Sequence, residues 1–172
     1  MKSEEMLAKL LETSYTKDEV LRRLGIIKKY LEQKLYKSEE LNLETFLEDE
    51  KVIDADKEML LKTSDEIIKS LNKDNMYKVL DDVKKKVGEL ETVKIYLPYE
   101  SDTKENMNLG KWFRDHVGKT SLLDIKKDSS LVGGCAVATK GKWQDYSLRY
   151  FIRKEKNEIV NSLEKYDNKI ES

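Results

Sequence analysis

Gly133, Gly134 and Gly141 put three of the chain's seven glycines inside one short stretch, and nothing else in the sequence constrains the fold as much. The adjacent pair predicts a point where the backbone needs a positive φ or a close approach to another segment. After it, Cys135, Val137 and Thr139 alternate with Ala136 and Ala138, which predicts a short strand of period two. Lys140-Gly141-Lys142 reads as a tight polar turn, and Trp143 to Asp145 as a second extended piece. From Ser147 the pattern turns helical. The stretch is expected to form a hairpin that feeds a terminal helix, with its turns setting where that helix leaves the sheet.

Residues 1–91 read as helices throughout, with no proline and only Gly25 and Gly88. Ser3 precedes a short helix with Met6, Leu7, Leu10 and Leu11 on one side. Thr16 and Glu19 have the spacing of a capping box. The helix behind it carries Val20, Leu24, Ile27, Leu31 and Leu35 at steps of three and four, with Tyr30 beside them, a stripe suited to a core. Gly25 within this helix predicts a close helix contact or a kink. Leu43, Phe46 and Leu47 support a short helix, with Asp54 and Asp56 expected to cap the next. That next helix has Met59, Leu60, Ile67, Ile68 and Leu71 as its stripe. Asn72 to Asn75 break the pattern before a last helix with Met76, Val79 or Leu80, Val83, Val87 and Leu90. Four or five such helices predict a small antiparallel bundle.

At Thr92 the character changes. Val93, Ile95 and Leu97 alternate with polar neighbours and predict a strand, ended by Pro98. Asp102 or Thr103 opens a helix whose apolar side is expected to be Leu109, Trp112, Phe113 and Val117. A second strand is expected around Leu123 to Ile125, and then come the glycine hairpin and a terminal helix from about Ser147 to Tyr166, with Leu148, Phe151 or Ile152, Ile159, Leu163 and Tyr166 expected inward. The expected fold class is α+β. A helical bundle over 1–91 is followed by a small α/β module over 92–172, with a short sheet and a long last helix.

Charged residues make up 39 % of the chain against 38 % hydrophobic, and 33 basic side chains face 34 acidic ones. Interspersed charge of this kind predicts solvated helix faces and argues against a general nucleic-acid coat. The basic residues Lys84 to Lys86, Arg149, Arg153, Lys154 and Lys156 lack the interleaved aromatics of a single-strand platform. The first residues lack the apolar core of a signal peptide, and no run is long enough to cross a bilayer. Any membrane association is therefore expected through partners.

The single Cys135 offers no disulfide framework and, with the single His116, no metal-ligand set. The same two residues define the one enzyme hypothesis worth weighing, a thiol nucleophile at Cys135, set against a buried structural cysteine. Gly134 to Lys142 has six residues where a phosphate-binding loop needs four, and it enters a strand where such a loop enters a helix. Asp128, Asp145 and Ser147 fit turn and cap positions. No residue set points to catalysis, a cofactor or a metal.

Asp128, Ser129, Ser130, Leu131, Val132, Gly133 and Gly134, then a strand, a glycine turn, Asp145, Tyr146, Ser147 and a helix, together resemble the C-terminal signature of one family. It is the delta subunit of F-type ATP synthases, whose mitochondrial counterpart is the oligomycin-sensitivity-conferring protein. The motif positions are Asp128, Leu131, Gly133, Gly134, Asp145 and Ser147. Cys135 and Ala136 depart from it, standing where larger aliphatic residues are usual. The resemblance covers the second half of the chain, and the helical first half suits the family without aligning to it.

The resemblance implies a non-catalytic adaptor on the crown of the catalytic head. The bundle would hold N-terminal helices of the alpha subunits, beside the beta subunits, and the C-terminal module would hold stalk subunit b, so that the head resists rotor torque. It further implies a peripheral place on the cytoplasmic face of the cell membrane. Leu24, Ile27 and Leu31 in the bundle, and Phe151, Ile159 and Leu163 in the last helix, either line the grooves for partner helices or form internal core. The nearest alternative is the peripheral-stalk E subunit of V- or A-type ATPases, which begins with one very long helix where this sequence predicts several short ones.

Overall fold

The computed structural model of the chain describes residues 3–36, 41–156 and 158–161, and it is α+β. Five helices come first: α1 (Ser3–Thr13), α2 (Lys17–Tyr36), α3 (Leu43–Asp49), α4 (Asp54–Ser70) and α5 (Met76–Glu89). Then follow β1 (Thr92–Leu97), α6 (Thr103–His116), β2 (Leu122–Lys127), β3 (Gly134–Thr139), β4 (Lys142–Ser147) and α7 (Leu148–Lys154). Local chemistry explains most of the boundaries. Glu19 N–H donates to Thr16 Oγ1 at 3.1 Å while Glu19 Oε2 accepts from the N–H of Thr16, closing the capping box of α2. Asp102 and Glu105 form a second box at α6. Asn72 Oδ1 accepts from the N–H groups of Asp74 and Asn75, and Asn75 Oδ1 from that of Asn72, so the break between α4 and α5 is satisfied by its own side chains.

The chain divides into two compact units that are not continuous in sequence. One holds residues 1–92 and 102–123, the other 93–101 and 124–172. A division at residue 91 would place α6 with the sheet, whereas α6 packs with the helices. Gly110 provides the reason. A Cβ there would lie 2.4 Å from that of Tyr15, so only glycine lets the Tyr15 side chain lie against α6. Arg114 then reaches over the same ring, 4.6 Å from its centre, and donates to the carbonyls of Leu11 and Ser14. Phe113 is buried, but Trp112 and Val117, expected on the inner face, are exposed.

In the helical unit, the predicted stripes of α1, α2 and α5 meet in one core with Phe46, Leu47, Leu60 and Ile67. Each such side chain, fully buried, contributes about 1.5–3 kcal/mol. Asp56 does not cap α4. The cap position is Ile53, without a side-chain bond, while Asp56 is fully buried between two arginines. Arg23 Nε donates to its Oδ1 at 2.7 Å, Arg22 holds the other oxygen, and Arg23 Nη1 continues to Thr13 O and Ser14 Oγ. Burial opposes the charge on Asp56, yet the hydrogen bonds from Arg22 and Arg23 hold its carboxyl below the usual range. α2 runs unbroken through Gly25, and a Cβ there would meet no close neighbour.

The sheet order is β2-β1-β3-β4. β3 is antiparallel to both neighbours, with Ile95 opposite Val137 and Ala136 opposite Asp145. β1 and β2 run parallel, because Leu122 N–H donates to Glu91 O and Asp128 N–H to Leu97 O at a constant offset. Lys140 (φ 49°) and Gly141 (φ 75°) form the two-residue hairpin turn, whose positive φ values match the twist of the flanking strands.

Candidate partner-binding site

The glycine stretch builds the platform from which α7 leaves. Gly133 and Gly134 have φ of 67° and 73°. At Gly134 the reason is contact: a Cβ would sit 2.2 Å from the carbonyl oxygen of Tyr146 in β4. Asp145 Oδ1 accepts the N–H of Ser147 at 2.8 Å, and Ser147 Oγ accepts that of Tyr150 at 3.2 Å, so Ser147 caps α7. Leu148 N–H donates to Gly133 O, which joins the helix start to the glycine pair. Asp128 closes the preceding loop, its Oδ1 accepting from both the hydroxyl and the N–H of Ser130, and its carbonyl taking the N–H of Leu131.

The six motif residues therefore fall into two adjoining constellations, Asp128 with Leu131, and the glycines with Asp145 and Ser147. Hydrogen bonds from the Ser147 hydroxyl and backbone hold the Asp145 carboxyl below its ordinary value, with Arg149 and Arg153 adding attraction. Asp128 is lowered in the same way by Ser130.

α7 buries none of its residues. Leu148, Phe151 and Ile152, spaced as one helical stripe, are 50, 46 and 49 % exposed. Tyr150 packs edge-on to Phe151 with ring centres 5.6 Å apart. Beyond α7, Ile159 and Val160 lie in a further helical turn and are exposed as well, as are Trp143 and Tyr146 on β4. The side chains of the last helix were expected to point inward, so that expectation is corrected. Leu163 and Tyr166 lie outside the described residues. Arg149, Arg153 and Lys154 lie on the same helix.

Leu24, Ile27 and Leu31 are 6, 2 and 1 % exposed and belong to the internal core of the helical unit. Of the three, Leu24 also lines a cleft of about 290 Å³ between α2 and α5, with Leu21, Gly25, Lys28, Leu80 and Lys84.

Neither Cys135 nor His116 is set up for the thiol chemistry weighed above. Burial first, and then Asp145, push the Cys135 thiol up, opposite to what an activated nucleophile needs. His116 Nδ1 is tied to the carbonyl of Trp112 in its own helix, and its ring stacks on the indole. Among the described residues, no group of three His, Cys, Asp or Glu side chains is placed to hold a metal, and no helix is long and apolar enough to cross a membrane. The Arg22–Asp56–Arg23 cluster and the Arg114–Tyr15–Gly110 contact have no signal in the sequence, since each joins residues far apart in the chain. No protein-family model matches the sequence, and no curated protein matches it significantly.

Proposed function

We propose that this chain is a non-catalytic adaptor of a rotary F-type ATP synthase, related to the delta subunit and the oligomycin-sensitivity-conferring protein. The observation that carries the reading is the motif from Gly133 to Ser147 acting as one structural device, with the Asp128 loop leading into it. Its glycines admit β4, its Asp and Ser cap a helix, and that helix presents Leu148, Phe151 and Ile152 outward. On this reading the exposed stripe receives a helix of stalk subunit b. The helical unit acts as the family's antiparallel N-terminal bundle and engages the N-terminal helices of the alpha subunits, beside the beta subunits. The protein sits at the cytoplasmic face of the cell membrane and is held there by its partners. Its task is mechanical: it ties the catalytic head to the stalk against rotor torque.

The test is an affinity-tagged pull-down from native membranes in mild detergent, with the co-purifying subunits identified. Alpha, beta and b subunits are expected. The double variant Phe151→Asp with Ile152→Asp is expected to lose subunit b while keeping alpha, because its changes lie on the exposed stripe alone. Recovery of A- and B-type subunits would replace this reading with the E subunit of a V- or A-type ATPase. A chain that returns without any ATPase subunit overturns it.

A further inference from the structure

We propose that a cavity where α3 turns into α4 is a binding site for a short-chain monocarboxylate, held by Lys51 together with Arg22 and Lys29. The cavity has a volume of about 240 Å³ and lies within the helical unit. Its apolar lining is Ile26 from α2, Phe46 from α3, and Val52 and Ile53 from the turn. Its charged lining sets three basic side chains, Arg22, Lys29 and Lys51, against two carboxylates, Glu50 and Asp56.

Both carboxylates are already engaged. Asp56 is fully buried, and each of its oxygens accepts from Arg22, with Arg23 sharing one of them. This fork uses Nε and Nη2 of Arg22, fixes the guanidinium, and leaves Nη1 without a partner among the described residues. Glu50 accepts from Lys29, whose ammonium keeps further N–H groups to donate. The Lys51 ammonium makes no ion pair among the described residues. Asp18 and Glu19 also attract Arg22, but neither lines the cavity.

Lys51 stands at a costly place. Its N–H donates to Glu48 O at 2.9 Å and that of Val52 to Leu47 O at 3.1 Å, the paired bonds that end a helix through one left-handed residue. Lys51 is that residue, with φ of 50°, at a position where glycine is free of strain. The chain bears this strain and gains a cation on an apolar cavity. Residues held in this way cluster at ligand clamps.

The lining also selects the occupant. One cation in excess matches a single negative charge, and a carboxylate accepts from several donors at once. Ile26, Phe46, Val52 and Ile53 call for an apolar group behind that charge. The volume falls short of the roughly 300–1,000 Å³ of sites for drug-sized ligands, so that group is only a few carbons long. The site does not depend on which subunits the protein joins.

Hexanoate and its neutral isostere hexanamide, titrated into the isotope-labelled full-length chain, test the proposal through the amide shifts of Lys51, Val52 and Ile53. Hexanoate is expected to give saturable shifts in the millimolar range or tighter, with hexanamide at least about tenfold weaker. Lys51→Gly keeps the turn and removes the cation. It is expected to raise Tm while weakening hexanoate about tenfold, a split that a purely structural lysine would not show. Lys51→Asn, which also tolerates the left-handed region, serves if the glycine variant does not fold. The proposal is overturned if hexanoate gives no saturable shift, if hexanamide binds as well, or if the Lys51 variants bind hexanoate like the wild type. A response to a short polyglutamate peptide without one to hexanoate also overturns it, and reassigns the cavity to a macromolecular partner.

Discussion

The carbonyl oxygen of Tyr146 occupies the space where a side chain on Gly134 would begin, 2.2 Å from the position of its Cβ. Gly133, next in line, has the same left-handed backbone but meets only Leu148 Cβ at an ordinary 3.7 Å. Their alanine variants should therefore differ. Gly133→Ala is expected to cost only the left-handed strain of about 1–2 kcal/mol. Gly134→Ala adds a backbone collision that β4 cannot relieve without breaking its ladder to β3, and should cost distinctly more. Denaturant unfolding of the two variants checks the order.

Asp56 is fully buried and answers to Arg22 and Arg23 together. Asp56→Asn leaves the Arg23 guanidinium, itself only 3 % exposed, without its counter-charge. A loss of about 3–5 kcal/mol is expected, as for other broken buried pairs. Chemical denaturation reads it directly. A change within the experimental error of the wild type would mean that Asp56 does not hold the two arginines.

The same carboxylate sets a pH dependence. Its folded pKa lies below the ordinary 3.8, so the unfolded chain takes up the proton first as pH falls. The stability it contributes is complete above the unfolded value and is lost as pH drops through 3.8 towards the folded value. Asp128 and Asp145 are lowered too and act in the same direction. Unfolding free energy should fall between about pH 5 and pH 3, with a shallower slope in Asp56→Asn than in the wild type.

Gly25 sits in the middle of α2 with open space where a Cβ would go. Replacing it with alanine removes the backbone-entropy cost of an interior helix glycine without introducing a clash. Gly25→Ala should stabilise the chain by about 1 kcal/mol. Thermal unfolding would show it, and a lower Tm would mean that α2 needs glycine there.

Signals that act over a few residues are legible in the amino-acid sequence itself. Thr16 with Glu19, Asn72 with Asn75, and Ser147 with Tyr150 all bond to nearby backbone, so spacing alone exposes them. The face of α6 is different, because hydrophobicity points to Trp112 and Val117. What decides that face is a missing side chain at Gly110 and the long reach of Arg114, neither of which scores as apolar. Asp56 reads as a cap because helix starts favour Asp, and nothing nearby in sequence announces two arginines on α2. For α7 the stripe itself is legible, but periodicity reports only that Leu148, Phe151 and Ile152 share a side. It does not tell whether that side faces the chain's own core or the outside.

The turn between α1 and α2 has a consequence for synthesis. It leaves the ribosome ahead of the residues that fasten it, since Arg114 donates to Leu11 from 103 residues downstream, and Leu123 N–H donates to Tyr15 O from further still. The emerging chain must carry an unfinished corner until α6 and the head of β2 have both been translated. In nascent chains the amide of Leu123 is the backbone donor that closes this corner, and it should become protected from exchange only after it has left the exit tunnel and paired with Tyr15 O. A corner that is translated early is thus among the last parts of this protein to be completed.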